Sequence, residues 1–192
     1  MRFRKAVDVF IDDMRAQGRL NSDASERGYR FALDAHAEDV DNRDPRYVTR
    51  QDVKRTLARW RHPNSQRKHR SVLVSFYDWL MEEGAIDDHG NEVRRPDNPA
   101  RQTRRPRKRP PAVYRLTRSE VAAMLAAATG TRERRAIYLG ICAGLRNAEL
   151  RGLQGRHFQR PGFIWVSPDI AKGGRERYVP VIAELEPVVA EI

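Results

Sequence analysis

The chain has 192 residues, enough for one ordinary domain or two small ones, and 37 Lys and Arg against 26 Asp and Glu leave a formal charge of +11. A single cysteine, Cys142, excludes an internal disulfide and a thiolate metal site. The first residues lack the apolar core of a secretion signal, and no apolar run is long enough to span a membrane, so an intracellular, cytoplasmic setting is expected, with a polyanion such as nucleic acid as partner.

The first half reads as four helices. Phe3, Val7, Phe10 and Met14 form one helical stripe, ended by Gly18. Tyr29, Leu33, His36 and Val40 form the next, with Asp23 and Glu26 spaced like an N-cap and its return partner. Asp41 to Pro45 breaks it. Thr49-Arg-Gln-Asp52 looks like a capping box, followed by Val53, Leu57 and Trp60. After a turn at His62-Pro63-Asn64-Ser65, Val72, Phe76 and Leu80 mark the fourth helix, closed by Gly84. Four amphipathic helices in this length should form one small bundle. From Asp87 to about Arg115 the periodicity dissolves, and Arg101-Gln-Thr-Arg-Arg-Pro-Arg-Lys-Arg-Pro-Pro111 is basic, Pro-rich and without an acid, so it reads as a linker.

Thr117-Arg-Ser-Glu120 opens a fifth helix with Val121, Leu125 and Ala128 on one face. Residues 132–143 form a sixth, with Ile137 and Ile141 expected in the core, and Gly144 turns into a short helix from about Asn147 to Leu153. The period then changes to two. Phe163-Ile-Trp-Val166 is a predicted strand, and Asp169–Lys172 and Arg177–Val181 flank Gly173-Gly174 as a hairpin. A last helix is expected near Ala183.

Two segments stand out. Cys142-Ala-Gly-Leu-Arg-Asn-Ala-Glu-Leu-Arg-Gly-Leu153 resembles the box of tyrosine recombinases, the phage-integrase family, that holds the first catalytic arginine. Ala171-Lys-Gly-Gly-Arg-Glu-Arg-Tyr-Val-Pro-Val181 resembles that family's lysine-bearing hairpin. The four helices ending in Asp97-Asn-Pro-Ala100 are similar to its SAM-like core-binding domain. The resemblance implies a mainly α chain: a core-binding domain over 1–100, a basic linker over 101–115, and over 116–192 the first part of an α+β catalytic domain with a small antiparallel sheet.

It also implies a chemistry. A tyrosine attacks a backbone phosphate, and charge builds on the non-bridging oxygens. A guanidinium, always protonated and able to grip two oxygens, suits that charge, which makes Arg146 the candidate. Lys172 takes the place of the general acid for the departing 5′ oxygen. Glu149, three residues after Arg146, is a structural support for it. Arg175 and Arg177 lie near the hairpin, as phosphate contacts or as solvated side chains. Double-stranded DNA is the expected partner. Gln66, Arg67, Lys68 and Arg70 of the fourth helix are candidates for base edges or phosphate, and Arg27 and Arg30 are weaker ones. Arg104, Arg105, Arg107, Lys108 and Arg109 are placed to track phosphates. No metal, cofactor or small-molecule substrate is expected; His36 and His69 read as a core-edge side chain and a polar contact, and Cys142 as packed.

The family's later His-x-x-Arg box and nucleophilic tyrosine have no counterpart. His157-Phe-Gln-Arg160 spells the box but precedes the hairpin, and Tyr138 and Tyr178 are misplaced for a nucleophile. The expectation is a recombinase chain that stops before its nucleophile, leaving apolar surface uncovered, and that joins a tetramer when intact. The alternative is an inactive DNA-binding protein that occupies recombination sites.

Overall fold

The computed structural model describes residues 1–87, 89–110 and 112–192. Pro111, the end of the basic stretch, and Asp88 lie outside the described residues. The chain divides into two compact units, Met1–Ala112 and Val113–Ile192. It is mostly helical with two small antiparallel sheets of two strands each among the described residues. None of these helices is long and apolar enough to cross a membrane.

The first unit is built on four helices, α1 (Phe3–Ala16), α2 (Asp23–Asp39), α3 (Arg50–Ala58) and α4 (Pro63–Glu82). Their apolar stripes meet where the spacing places them: Phe3, Phe10, Leu33, Phe76 and Leu80 are fully buried, with Phe3, Phe10 and Phe76 in tilted or edge-on ring contacts. The cap of α2 is Ser22, one residue before the expected Asp23, because a hydroxyl there reaches the Ser25 amide at 3.2 Å. Glu26 is thereby free to pair with Arg15 and Arg30. The capping box of α3 forms as expected between Thr49 and Asp52. The supposed turn at His62–Ser65 is instead the first turn of α4: Pro63 has no amide to lose at the first helical position, and His62 Nδ1 accepts from the Asn64 amide. A short hairpin that the sequence did not signal, β1 (Ala85–Ile86) with β2 (Glu92–Val93), pairs Ala85 with Val93 and tucks both under the bundle.

The second unit holds α5 (Arg118–Ala127), α6 (Thr131–Ile141), α7 (Asn147–Gly152), β3 (Phe163–Val166), β4 (Arg177–Pro180) and α8 (Glu186–Ala190). The capping box of α5 is present, but that helix has no fully buried residue. On α6 the core position is Leu139, while Ile141 is 42% exposed, against expectation. The helix is too short for both faces to be covered by the small core of Ile164, Val166 and Leu185. The hairpin is also corrected. Asp169–Lys172 is not a strand; β4 pairs with β3, Trp165 opposite Tyr178, and the whole of 167–176 forms the connection. Gly173 and Gly174, at φ of +81° and +67°, sit inside that connection rather than at a two-residue turn.

One polar cluster lies inside the first bundle. His36 is fully buried rather than at the core edge; its Nδ1 lies 2.6 Å from Thr56 Oγ1 and its Nε2 2.9 Å from Tyr77 Oη. Burial pushes the imidazole down from 6.5 to about 4 and the Tyr77 phenol well up. The unfolded chain therefore takes up the proton first as pH falls. The contribution of neutral His36 is complete above pH 6.5 and is lost between 6.5 and about 4, a loss on the order of 3 kcal/mol. Hydrogen exchange of α1–α4 should show this destabilisation across that window. His36→Gln should flatten it, and an equal slope in the variant would exclude His36 as its source.

Candidate functional site

Two groups of side chains, one in each unit, make up the candidate site. In the first, α2 and α4 border an open cleft of about 810 Å³. Ala24, Ser25 and Gly28 give α2 a low wall, so a ligand can approach its backbone closely, and Arg67, Lys68 and Arg105 supply positive charge. The side chains of Arg67 and Lys68 make no hydrogen bond or ion pair with the described residues. Neither do the side chains of Arg104, Arg105, Arg107, Lys108 and Arg109, all exposed except Arg67, which is half-buried. These seven belong to the nine residues expected at a DNA surface.

The other two candidates on α4 are engaged elsewhere. Gln66 donates to the Trp60 carbonyl at 2.8 Å, which fastens the α3–α4 turn. Arg70 donates through Nε to Thr103 Oγ1 at 2.9 Å, and through one terminal nitrogen to the carbonyls of Thr103 and Arg101. Arg30 is likewise taken up by Asp8 at 2.7 Å and Glu26 at 2.9 Å. His69, read as a polar contact, is buried and stacked on Trp60 with ring centres 3.7 Å apart. Sequence spacing put all of these on polar helix faces; it could not tell which would find an internal acceptor.

In the second unit, Gly144 at φ +61° turns the chain out of α6, Leu145 is buried, and Arg146 becomes the N-cap of α7. Glu149 then stands at the third helical position and accepts the Arg146 amide at 2.8 Å. Its carboxylate is fully buried, and two guanidinium groups hold it. Arg177 forks onto both oxygens, at 2.9 and 2.7 Å, and Arg146 adds one bond at 2.9 Å. The Arg177 bonds, against the opposing effect of burial, and the Arg146 amide hold the Glu149 pKa down at about 2. Arg177 spends both terminal nitrogens on Glu149. Arg146 spends one, its side chain is 59% exposed, and its Nε and second terminal nitrogen remain free to bind an anion. Sequence reasoning left Arg177 undecided; only the fold of β4 onto α7 brings it to Glu149.

Lys172 lies exposed in the β3–β4 connection, beside the left-handed glycines, and its side chain makes no hydrogen bond or ion pair with the described residues. Arg175 is exposed in the same connection. His157 is buried: Nδ1 accepts from the Gln154 amide at 2.8 Å, and Nε2 lies 2.9 Å from Ser167 Oγ. Its Arg160 partner in the spelled motif stacks instead on Phe163 and Tyr178. The motif is a structural clip. Cys142 is half-buried, and no metal-binding group of side chains occurs among the described residues.

The buried carboxylate gives a stability prediction. Glu149→Ala removes the shared acceptor of two guanidinium groups and the cap of α7, and should destabilise the second unit by about 3 kcal/mol. Because the Glu149 pKa is lowered, its contribution is present above about pH 4.5 and is lost as pH falls towards 2. Hydrogen exchange of residues 113–192 reads both effects; unchanged protection in the variant would show that Glu149 holds nothing.

No protein-family model and no curated protein sequence matches the chain. Solved structures do. A lambda integrase dimer bound to a COC′ core site superposes with TM-score 0.74 at 19% identity, over 94% of this chain and 63% of that one. Lambda integrase bound to DNA gives 0.73 at 18%, over 94% and 60%. A lambda integrase tetramer bound to a Holliday junction gives 0.73 at 17%, over all of this chain and 55% of that one. The chain thus spans less than two thirds of the integrase chains it matches, and shares their fold.

Proposed function

We propose that this chain grips duplex DNA and supplies the first part of the catalytic centre of a site-specific recombinase of the tyrosine-recombinase kind. The observation that carries the catalytic half is the state of Arg146. Glu149, itself saturated by Arg177, fixes the Arg146 backbone and one terminal nitrogen, and the rest of the guanidinium faces solvent as a preset anion cradle. Such preorganised donors stabilise charge developing on phosphate oxygens without rearranging during the reaction. Lys172, on a glycine-flanked loop, is the general acid that protonates the departing 5′ oxygen. The α2–α4 cleft and the basic stretch 104–109 bind phosphates, in the manner of a core-binding domain. The solved relatives were captured as DNA-bound dimers and a Holliday-junction tetramer, which supports an oligomer assembled on DNA.

The binding half is tested by measuring affinity for an attachment-like duplex over a range of salt. Each phosphate contact removed should lower the slope of log K against log salt by about 0.9, so Arg67→Ala with Lys68→Ala should lower it by nearly two. Salt-insensitive binding, or none, would sink the reading. Arg146→Ala should leave affinity within about threefold, because one exposed phosphate contact among many is lost. In a protein that also carries the nucleophilic tyrosine, the same change should cut the rate of DNA strand cleavage by about a hundredfold or more. Equal losses of binding and cleavage would take Arg146 out of the catalytic role.

A further inference from the structure

The basic stretch is docked on α4. Its contacts with α4 run in order, backwards along the helix. Asn98 Nδ2 donates to the Val74 carbonyl at 2.9 Å and to Asp78 at 2.7 Å. Arg101 forks onto Asp78 with two bonds of 2.7 Å. Arg70 takes Thr103 and the Arg101 carbonyl, and Thr103 Oγ1 turns back to the Ala100 carbonyl at 2.7 Å. At the far end, the Asn64 amide grips the Arg109 peptide on both sides, donating to its carbonyl at 2.7 Å and accepting its N–H at 3.0 Å. Residues 98–109 thus lie antiparallel to α4, pinned at both ends.

We propose that Asn64 and Arg70 are positioning residues that fold the basic arm 101–109 onto α4 before DNA arrives, so that the arm and the α2–α4 cleft form one preset cationic surface. The inference deepens the DNA-binding reading above and rests on it for its binding test. The arrangement crowds like charges. Arg105 sits in the cleft with Arg67 and Lys68, and burial, then the neighbouring Arg105 and Arg101, lower the Arg70 pKa. Little apolar burial offsets this repulsion: within the arm only Thr103 is buried and Pro106 half-buried. Polar contacts hold it instead: Asp78 anchors it at Arg101, Arg70 at Arg101 and Thr103, and Asn64 alone at Arg109. A duplex phosphate backbone would relieve the repulsion and would meet an arm whose ordering cost has already been met in the free protein.

The assignment separates two roles that ordinary mutagenesis confuses. A residue that contacts phosphate changes the salt slope when removed; one that positions the contacts changes affinity at constant slope. Asn64→Ala and Arg70→Gln are each expected to weaken duplex binding about three- to tenfold at fixed salt, with slopes within about 0.3 of the parent. A fall of about 0.9 for Arg70→Gln would instead make Arg70 a phosphate contact and overturn its assignment.

Without DNA, the Arg109 amide should exchange slowly in the parent and at least about tenfold faster in Asn64→Ala. Trypsin should also cut after Arg104 and Arg107 sooner in both variants, while α1–α4 keep their protection. Equal exchange and equal cutting in parent and variants would overturn the docking, whatever DNA does. If the parent binds no duplex, the DNA reading falls, and the exchange and cutting measurements still decide whether the arm is held.

Discussion

A guanidinium leaves water only where its five donors find acceptors, and this constraint orders both units. Arg95, 8% exposed, is buried because the carbonyls of Pro45 and Val48 and the Asp97 carboxylate receive it while its plane covers Tyr77. Arg30, Arg70, Arg101 and Arg177 also find acceptors, carboxylates or carbonyls that α1, α2, α4, its trailing segment and α7 present. Most of the cations without an internal acceptor lie exposed. In the first unit such cations include those beside the α2–α4 cleft and along the arm. In the second they include the outer half of Arg146 and the ammonium of Lys172.

The helix α4 makes that sorting possible in the first unit. Its twenty residues present Val72, Leu73, Phe76 and Leu80 to the bundle, while Asn64, Arg70, the Val74 carbonyl and Asp78 line an edge that takes residues 98–109. One element therefore ties a core to a charged arm through quite different forces, burial on one side and charge-assisted hydrogen bonds on the other. In the second unit Glu149 has the corresponding position. It caps α7, receives β4 through Arg177, and fixes Arg146. A carboxylate buried at that point would be costly alone; between two guanidinium groups it becomes the fixed reference for the site.

The two units differ in how fully they cover themselves. The first encloses large aromatic residues of α1 and α4 between apolar side chains of all four helices. The second has a core of small extent, with α5 unburied and Ile141, Tyr178 and Ile182 largely exposed. That difference follows from the lengths and spacing of the elements. Helices of 14, 17 and 20 residues in the first unit present several turns of apolar stripe each, whereas α7 and α8 have 6 and 5 residues.

Much of this was legible in the order of residues. The apolar periods located the four helices of the bundle, the capping boxes at Thr49 and Thr117 marked two starts, and the Gly-Leu-Arg turn placed Arg146 and Glu149 on one short helix face. These are local rules, set by backbone geometry and by partners three or four residues apart. What the sequence could not decide were contacts closed over tens of residues: Arg177 on Glu149 rather than on solvent, Arg70 on Thr103, Asn64 on the Arg109 peptide, β4 beside β3 rather than beside 169–172. Composition showed correctly that the basic stretch could bury no core of its own. It could not show that polar side chains of α4 would hold it in place of a core. An arginine's chemistry is the same everywhere along a chain, and only the tertiary structure determines whether an acceptor stands within its reach.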